Sequence, residues 1–242
     1  MGPSWLVQLL PYYDQAPVYG SMNFDVPIFS GSNIPAIGKH LPSLCCPSDN
    51  AATSNNRAVF AGQSWARCSY GASCSTNVNP GTTWWRNISS TQRGAFGHHS
   101  SSGVRDILDG TSNSVVSWEI RAGTNVNDTR GTWANGRTGG GLVGNCIQSN
   151  PSATFTGDCY GINAGRHSNG DDVWGPAGYE NVSIGMGGHS GNDGQAGPKS
   201  LHVGGVHALM GDGVVRFVNE KIDRAVHIGL TTISGSDVVG DF

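Results

Sequence analysis

The stretch that decides the fold is SLHVGGVHALMGDGVVRFV, residues 200–218. Side chains of alternating character run from Val206 to Met210 and again from Val214 to Val218. Between the two runs, the Gly-Asp-Gly sequence at 211–213 supplies residues that tolerate the positive φ angles of a tight turn. The stretch therefore predicts a β-hairpin. Directly after it, Asp223 predicts the N-cap of a short helix with an inward apolar face at Val226, Leu230 and Ile233.

The rest of the chain predicts a sheet and a helix to cover it. The run from Val115 to Ile120 follows an Asp-Gly-Thr-Ser-Asn turn sequence and is rich in strand-forming residues, which predicts a central strand. Residues 4–15 carry leucines at helical spacing and predict an amphipathic helix. RAVFAGQSW, residues 57–65, predicts strand, whereas the glycine-rich residues 123–199 predict long surface insertions.

Composition and charge exclude one class of function. Only 13% of the residues are charged and the formal net charge is -3, so no basic field is available to collect phosphates. Nucleic-acid binding is therefore not expected.

The cysteines indicate an oxidising compartment. An even number in a chain poor in lysine favours disulfides over zinc, because no spacing matches a usual zinc module. The candidates are Cys45, Cys46, Cys68, Cys74, Cys146 and Cys159. Short loops favour Cys68–Cys74 and Cys146–Cys159, although fifteen pairings of six cysteines are open. Three Asn-x-Ser/Thr sequons are candidate glycan acceptors, at Asn87, Asn127 and Asn181.

His202 stands nine residues before Asp212-Gly213 and has two readings. It is a metal ligand or catalytic base with Asp212 as its partner, or a structural histidine hydrogen-bonded to backbone or to a neighbouring loop. We favour the structural reading, because an extended chain separates the two residues by roughly 30 Å. Asp212 and Asp109, each followed by glycine, are interpreted as turn residues.

The sequence contains only weak signals for metal binding and for catalysis. If a metal is bound, hard oxygen ligands predict calcium at Asp171, Asp172 and Asp193, without an EF-hand pattern. No catalytic motif such as Gly-x-Ser-x-Gly or His-Glu-x-x-His occurs, and an enzyme is not expected. If the adjacent Trp84 and Trp85 lie on a strand, one indole is exposed, at an interface or a sugar-binding patch, although a core or subunit contact is the favoured use.

Five motifs in order carry a resemblance to a known family. They are QLLPYYDQAPVYGSMNF (8–24), CPSD (46–49), DILDGTSNSVVSWE (106–119), the His202-x9-Asp212-Gly213 spacing and VVGDF (238–242). Together they resemble the planctomycete-type bacterial prepilin-like proteins with a processing-associated H-x9-DG domain. The residues so marked include Asp109, Gly110, Ser112 and Asn113 of the third motif, together with His202, Asp212 and Gly213.

The resemblance implies a pilin-like or pseudopilin-like head that lacks the upstream apolar helix of such proteins. The expected fold is α+β in a single domain: a helical segment at 1–24, strands with long Gly-rich insertions at 25–199, and a hairpin and short helix at 200–242. The N-terminal helix is expected to pack on an antiparallel sheet.

The expected function is that of a structural subunit in an extracellular or envelope-associated filament. It would need no cofactor, pair with itself or with other pilin-like subunits, and meet a membrane only through the missing helix. The alternative is a calcium-assisted carbohydrate-binding module.

Overall fold

A computed structural model describes residues 2–54, 56–76, 84–100, 102–137, 139–144, 161–163, 171–172, 188–189 and 196–235. For residues 171–172 and 188–189 it describes the backbone alone. The fold is α+β, as the sequence predicts. The described residues form five α-helices: α1 Trp5–Leu9, α2 Ala16–Gly20, α3 Ile34–Ile37, α4 Asn50–Thr53 and α5 Arg224–Thr231. Short 3-10 turns lie at Leu10–Tyr13, Gly31–Asn33, Pro42–Leu44, Trp85–Asn87, Ser90–Gln92 and Val104–Asp106.

Nine strands form three sheets among these residues. They are β1 Ala58–Phe60, β2 Gln63–Trp65, β3 Tyr70–Ser75, β4 Val115–Glu119, β5 Leu142–Gly144, β6 Asp171–Asp172, β7 Gly188–His189, β8 Gly205–Met210 and β9 Val215–Asn219. The main sheet has the order β5-β3-β4-β8-β9. It is mixed rather than purely antiparallel, because β5 runs parallel to β3.

The predicted hairpin, central strand and final helix are confirmed. β8 and β9 pair antiparallel across the turn at 211–213, with Leu209 opposite Val215 and His207 opposite Phe217. β4 is the middle strand of the main sheet. Asp223 accepts hydrogen bonds from the backbone N–H groups of Ala225 and Val226, as an N-cap does.

The N-terminal helix is confirmed in a broken form. Ser4 caps α1, and the chain tightens into a 3-10 turn at Leu10–Tyr13. Pro17 lies in the first turn of α2, where proline is tolerated, rather than ending the helix. Leu6, Val7 and Leu10 are buried in a core shared with the β1–β2 hairpin. Trp5 packs against the main sheet, at a cluster around Ala72 and Leu142.

The prediction of surface loop throughout residues 123–199 is wrong for 128–137 and 139–144. Trp133 is fully buried in the N-terminal core, and residues 142–144 form β5. Polar side chains also fill this interior: Asp128 binds Arg130 through paired hydrogen bonds of 2.9 Å from Nε, and Arg67 donates to backbone oxygens beside them. Because this core contains ionic side chains and many glycines, the sequence of this segment shows no apolar periodicity from which a buried strand could be predicted.

The two faces of the main sheet are covered unequally. α5 covers one face, where Leu230 joins a core with Trp118 and Val206. On the other face Trp5 and Phe96 cover the β3–β5 end. Toward β9 this face carries Val215 and Phe217, which are 60% and 44% exposed. The sheet therefore keeps an open apolar region at its β9 edge.

Candidate metal centre and outer sheet face

Three side chains from distant parts of the chain meet beside the main sheet. Nε2 of His202 lies 3.2 Å from Oε1 of Glu119 and 3.5 Å from Sγ of Cys46. One ligand atom from each residue lies within 4.8 Å of the other two. We call this group the Cys-Glu-His cluster. A thiol, a carboxylate and an imidazole are the donors that proteins use to hold zinc.

Glu119 is fixed at the end of β4 by its second carboxylate oxygen. Oε2 accepts a hydrogen bond of 2.7 Å from the backbone N–H of His207 and lies 3.3 Å from Nδ1 of the same residue. Strand alternation and the pairing of β4 with β8 bring these residues to one face of the sheet. The other carboxylate oxygen, Oε1, therefore faces His202.

Cys46 is held by a buried network around Asp49. The backbone N–H of Cys46 donates to Oγ of Ser69, and that hydroxyl donates to Oδ2 of Asp49. The same carboxylate oxygen accepts from the backbone N–H of Ala122 at 2.8 Å, while Oδ1 accepts from Ala51 at the start of α4. The thiol is therefore anchored to both the CPSD turn and the chain that follows β4.

The cluster is buried on one side and open on the other. Cys46 and Glu119 are 7% and 5% exposed, whereas the His202 side chain is 27% exposed. Ser200 positions the histidine, because its Oγ accepts from the backbone N–H of His202 and donates to the carbonyl of Gly205. The cluster therefore has a solvent side at the loop that enters β8.

The less favoured interpretation of His202, in which Asp212 is its partner, is wrong about that partner. The ring contacts Glu119 and Cys46, while Asp212 caps its own turn by accepting from the backbone N–H of Val214 at 2.9 Å. Gly213 has φ +87, as the turn requires. The interpretation of Asp212 as a turn residue is thereby confirmed.

The Asp109 turn ties the main sheet to the C-terminal segment. Asp109 Oδ2 accepts from the backbone N–H of Gly235, and the Asp109 backbone N–H donates to Ile233. Gly110 has φ +96, and Asn113 donates from Nδ2 to the carbonyl of Asp109. Ser112 lies in the same turn. The residues from Asp109 to Asn113 therefore have a structural role, and the interpretation of Asp109 as a turn residue is confirmed.

The favoured disulfide between Cys68 and Cys74 is not formed. Cys45, Cys46 and Cys68 carry free thiols. Most of the intervening residues lie in the extended strand β3, so the two Cα atoms are roughly 20 Å apart, far beyond the separation of about 7 Å that a disulfide spans. Burial raises the pKa of both Cys68 and Cys74 to about 12. Cys146 and Cys159 lie outside the described residues.

The remaining predicted sites are only partly placed. Asp193 and Asn181 lie outside the described residues, and the side chains of Asp171 and Asp172 are not described, so the calcium prediction stays a prediction. Asn87 is exposed, as a glycan acceptor must be, and Asn127 is half-buried. Trp84 is 44% exposed and stacks on His99, at the start of a 3-10 turn rather than on a strand.

An apolar cleft of about 610 Å³ opens beside the less covered face of the main sheet. Its apolar lining comes from Trp5, Leu9, Phe96, Val116, Leu142 and Leu209. Leu209 pairs with the exposed Val215, and Phe217 packs on His207 at 5.2 Å between ring centroids. We call the cleft together with Leu209, Val215 and Phe217 the outer face. Leu209 therefore links the cleft to the neighbouring β9 edge.

Sequence reasoning missed the Cys-Glu-His cluster because its members are far apart in the chain. Cysteine spacing alone disfavours zinc, and no histidine or cysteine lies close to Glu119 in the sequence to mark it as a ligand. A signal was nevertheless present: Cys46 opens CPSD, Glu119 ends DILDGTSNSVVSWE and His202 begins the H-x9-DG spacing. Three of the five motifs thus meet at one point.

Comparison with known proteins gives a family and no activity. None of the helices in the described residues has the length and apolarity needed to cross a bilayer. No curated protein and no solved structure matches the chain. Residues 1–225 match the family described as "Protein of unknown function (DUF1559)". The chain therefore belongs to the DUF1559 family.

Proposed function

We propose that the protein is a structural subunit of a pilin-like or pseudopilin-like assembly at the cell surface, without catalytic activity of its own. The observation that carries the proposal is the outer face, where an apolar cleft lies next to exposed apolar side chains of the edge strand. The family resemblance of the five motifs to prepilin-like proteins supports the same function.

The exposed apolar side chains concentrate around the hairpin. Of the thirteen large apolar residues exposed in the described part of the chain, five fall between residues 201 and 217. They are Leu201, Val203, Val214, Val215 and Phe217. Val203 is 98% exposed. Val215 and Phe217 lie on the same face of β9, and neighbouring exposed apolar side chains mark protein–protein contact sites in soluble domains.

The edge strand β9 adds a backbone component. Among the described strands it pairs with β8 alone, which leaves one row of N–H and C=O groups along its other side. β9 has neither proline nor lysine, the residues that commonly protect such edges. A second copy of the chain can supply both hydrogen bonds to this edge and apolar cover for Val215 and Phe217. Low net charge keeps the repulsion between copies small.

Sedimentation velocity of the purified chain over a concentration series tests the proposal. The wild-type protein is expected to form larger species as concentration rises, and the double variant Val215→Lys/Phe217→Lys is expected to stay monomeric. Val104→Lys is the matched control, because Val104 is 70% exposed on a 3-10 turn outside the hairpin. A wild-type protein that stays monomeric, or a control that dissociates equally, would overturn the role of the outer face.

A further inference from the structure

We propose that the Cys-Glu-His cluster binds a zinc-class divalent transition metal through Cys46 Sγ, Glu119 Oε1 and His202 Nε2. The inference stands on the geometry of these three residues and does not depend on the proposed assembly. The metal would join three segments that are distant in sequence: the CPSD turn, the end of β4 and the loop before β8.

The separations fit a tetrahedral site. Metal–ligand bonds of about 2.0 to 2.3 Å place neighbouring ligand atoms of a tetrahedron roughly 3.3 to 3.8 Å apart. The separations of 3.2 Å between His202 Nε2 and Glu119 Oε1 and 3.5 Å between His202 Nε2 and Cys46 Sγ are close to this range. Closing the third separation, at most 4.8 Å, takes a movement of about 1 Å.

The charge of the site also favours a cation. Glu119 is 5% exposed, and its ion-pair partners in the described part of the chain are His202 and His207, which carry charge only when protonated. No lysine or arginine of that part forms an ion pair with this carboxylate. Burying a carboxylate without a permanent positive charge is costly, and a divalent ion beside Oε1 would offset that cost.

The donor types select the class of metal. A thiolate and an imidazole are poor ligands for calcium and magnesium, which prefer oxygen, but suit zinc and its neighbours. Three protein ligands leave a fourth position, which water can fill on the solvent side of His202. His207 is a positioning residue here, because it holds the opposite oxygen of Glu119 as outer partners do in zinc sites.

Titration of the reduced full-length protein with Co²⁺ tests the inference. Cobalt bound to a thiolate gives a charge-transfer absorption band in the near ultraviolet, and zinc should then displace it at one equivalent. Cys46→Ser should abolish the band, while His202→Asn and Glu119→Gln should each weaken Co²⁺ binding by more than about 100-fold, since even outer partners contribute 10- to 100-fold. His207→Asn should weaken it by about 10-fold or more.

Cys45→Ser is the matched control. Its thiol is the neighbour of Cys46 but turns toward the carbonyls of Leu41 and Ala52, so this variant should keep the band. A wild-type protein without a band, or a Cys46→Ser protein that keeps it, would overturn the site. Should Cys46→Ser fail to fold, the more exposed His202→Asn variant decides, and unchanged binding there would equally overturn it. Far-ultraviolet circular dichroism reports folding for each variant.

Discussion

The carboxylate of Glu119 lies 3.2 Å from the imidazole of His202, although 83 positions separate the two residues in the chain. The contact joins the middle strand of the main sheet to the loop that begins the hairpin. It gives the histidine of the H-x9-DG spacing a role that the aspartate of the same spacing does not share.

Glu119→Ala should destabilise the protein even without metal. The substitution removes the acceptor for the backbone N–H of His207, and we expect the free energy of unfolding to fall by about 2 kcal/mol. Glu119→Gln keeps an acceptor oxygen and should cost less. Urea denaturation in the presence of a chelator measures both, and equal losses in the two variants would contradict this explanation.

Asp49 should contribute more to the free energy of unfolding than an ordinary helix cap does. It caps α4, but its buried carboxylate also accepts from Ser69 and from the backbone N–H of Ala122. We expect Asp49→Ala to lower the free energy of unfolding by about 3 kcal/mol. Asp223→Ala removes the exposed cap of α5 and should cost about 1 kcal/mol. Chemical denaturation measures the loss of unfolding free energy in both variants. Similar losses in Asp49→Ala and Asp223→Ala would contradict a stabilising role for the network that anchors Cys46.

The buried ion pair should be sensitive to loss of one partner. The side chains of Asp128 and Arg130 are 4% and 3% exposed. Burial would raise the pKa of Asp128, but the charge and hydrogen bonds of Arg130, together with Arg67, lower it overall. Asp128→Asn removes the buried carboxylate that pairs with Arg130 and should cost about 3 to 5 kcal/mol.

A surface pair provides the comparison for that loss. Arg105 and Asp106 lie 4.0 Å apart with side chains 93% and 43% exposed. Asp106→Asn should change the free energy of unfolding by less than about 1 kcal/mol. Thermal and urea denaturation of the two variants side by side test the difference, and a neutral Asp128→Asn would show that the buried pair contributes little.

His227 should make the protein less stable in mild acid. Burial lowers its pKa from 6.5 to about 4, and its ring packs edge-on against Trp118 in α5's core. Between these values the unfolded chain binds a proton that the folded chain does not. The free energy of unfolding should therefore fall as the pH drops from 6.5 to 4, by on the order of 3 kcal/mol in all.

His227→Phe isolates this contribution from other groups that titrate in acid. The variant has no imidazole to protonate in the unfolded state, so its stability should change less between pH 6.5 and 4. Urea midpoints at several pH values measure the slope for both proteins. Parallel slopes would assign the acid sensitivity to groups other than His227.

Local signals in the sequence were enough for the hairpin, β4 and α5. In each, alternation, turn residues or a cap stand next to one another in the chain, as with Gly213 and Asp223. β5 and the core around Trp133 escaped prediction, because that interior is made by Arg67, Asp128 and closely packed glycines. At Gly131, with φ +77, a Cβ would lie 2.5 Å from the carbonyl oxygen of Cys68.

The candidate site was harder to predict for a different reason. Spacing motifs for metal sites place the ligands close together in the chain, as in pairs of cysteines, whereas Cys46, Glu119 and His202 meet only once β4 pairs with β8. Each of the three residues lies in a different one of the five motifs. The tertiary pairing that joins them cannot be read from spacing.

Electron microscopy of the protein isolated from its native source, with intact-mass analysis of the same sample, tests the proposed function most directly. The account predicts ordered assemblies built from a subunit that contains this chain, with contacts at β9 and the cleft beside Leu209. Monodisperse single copies at all concentrations, or assemblies that leave Val215 and Phe217 in solvent, would contradict it.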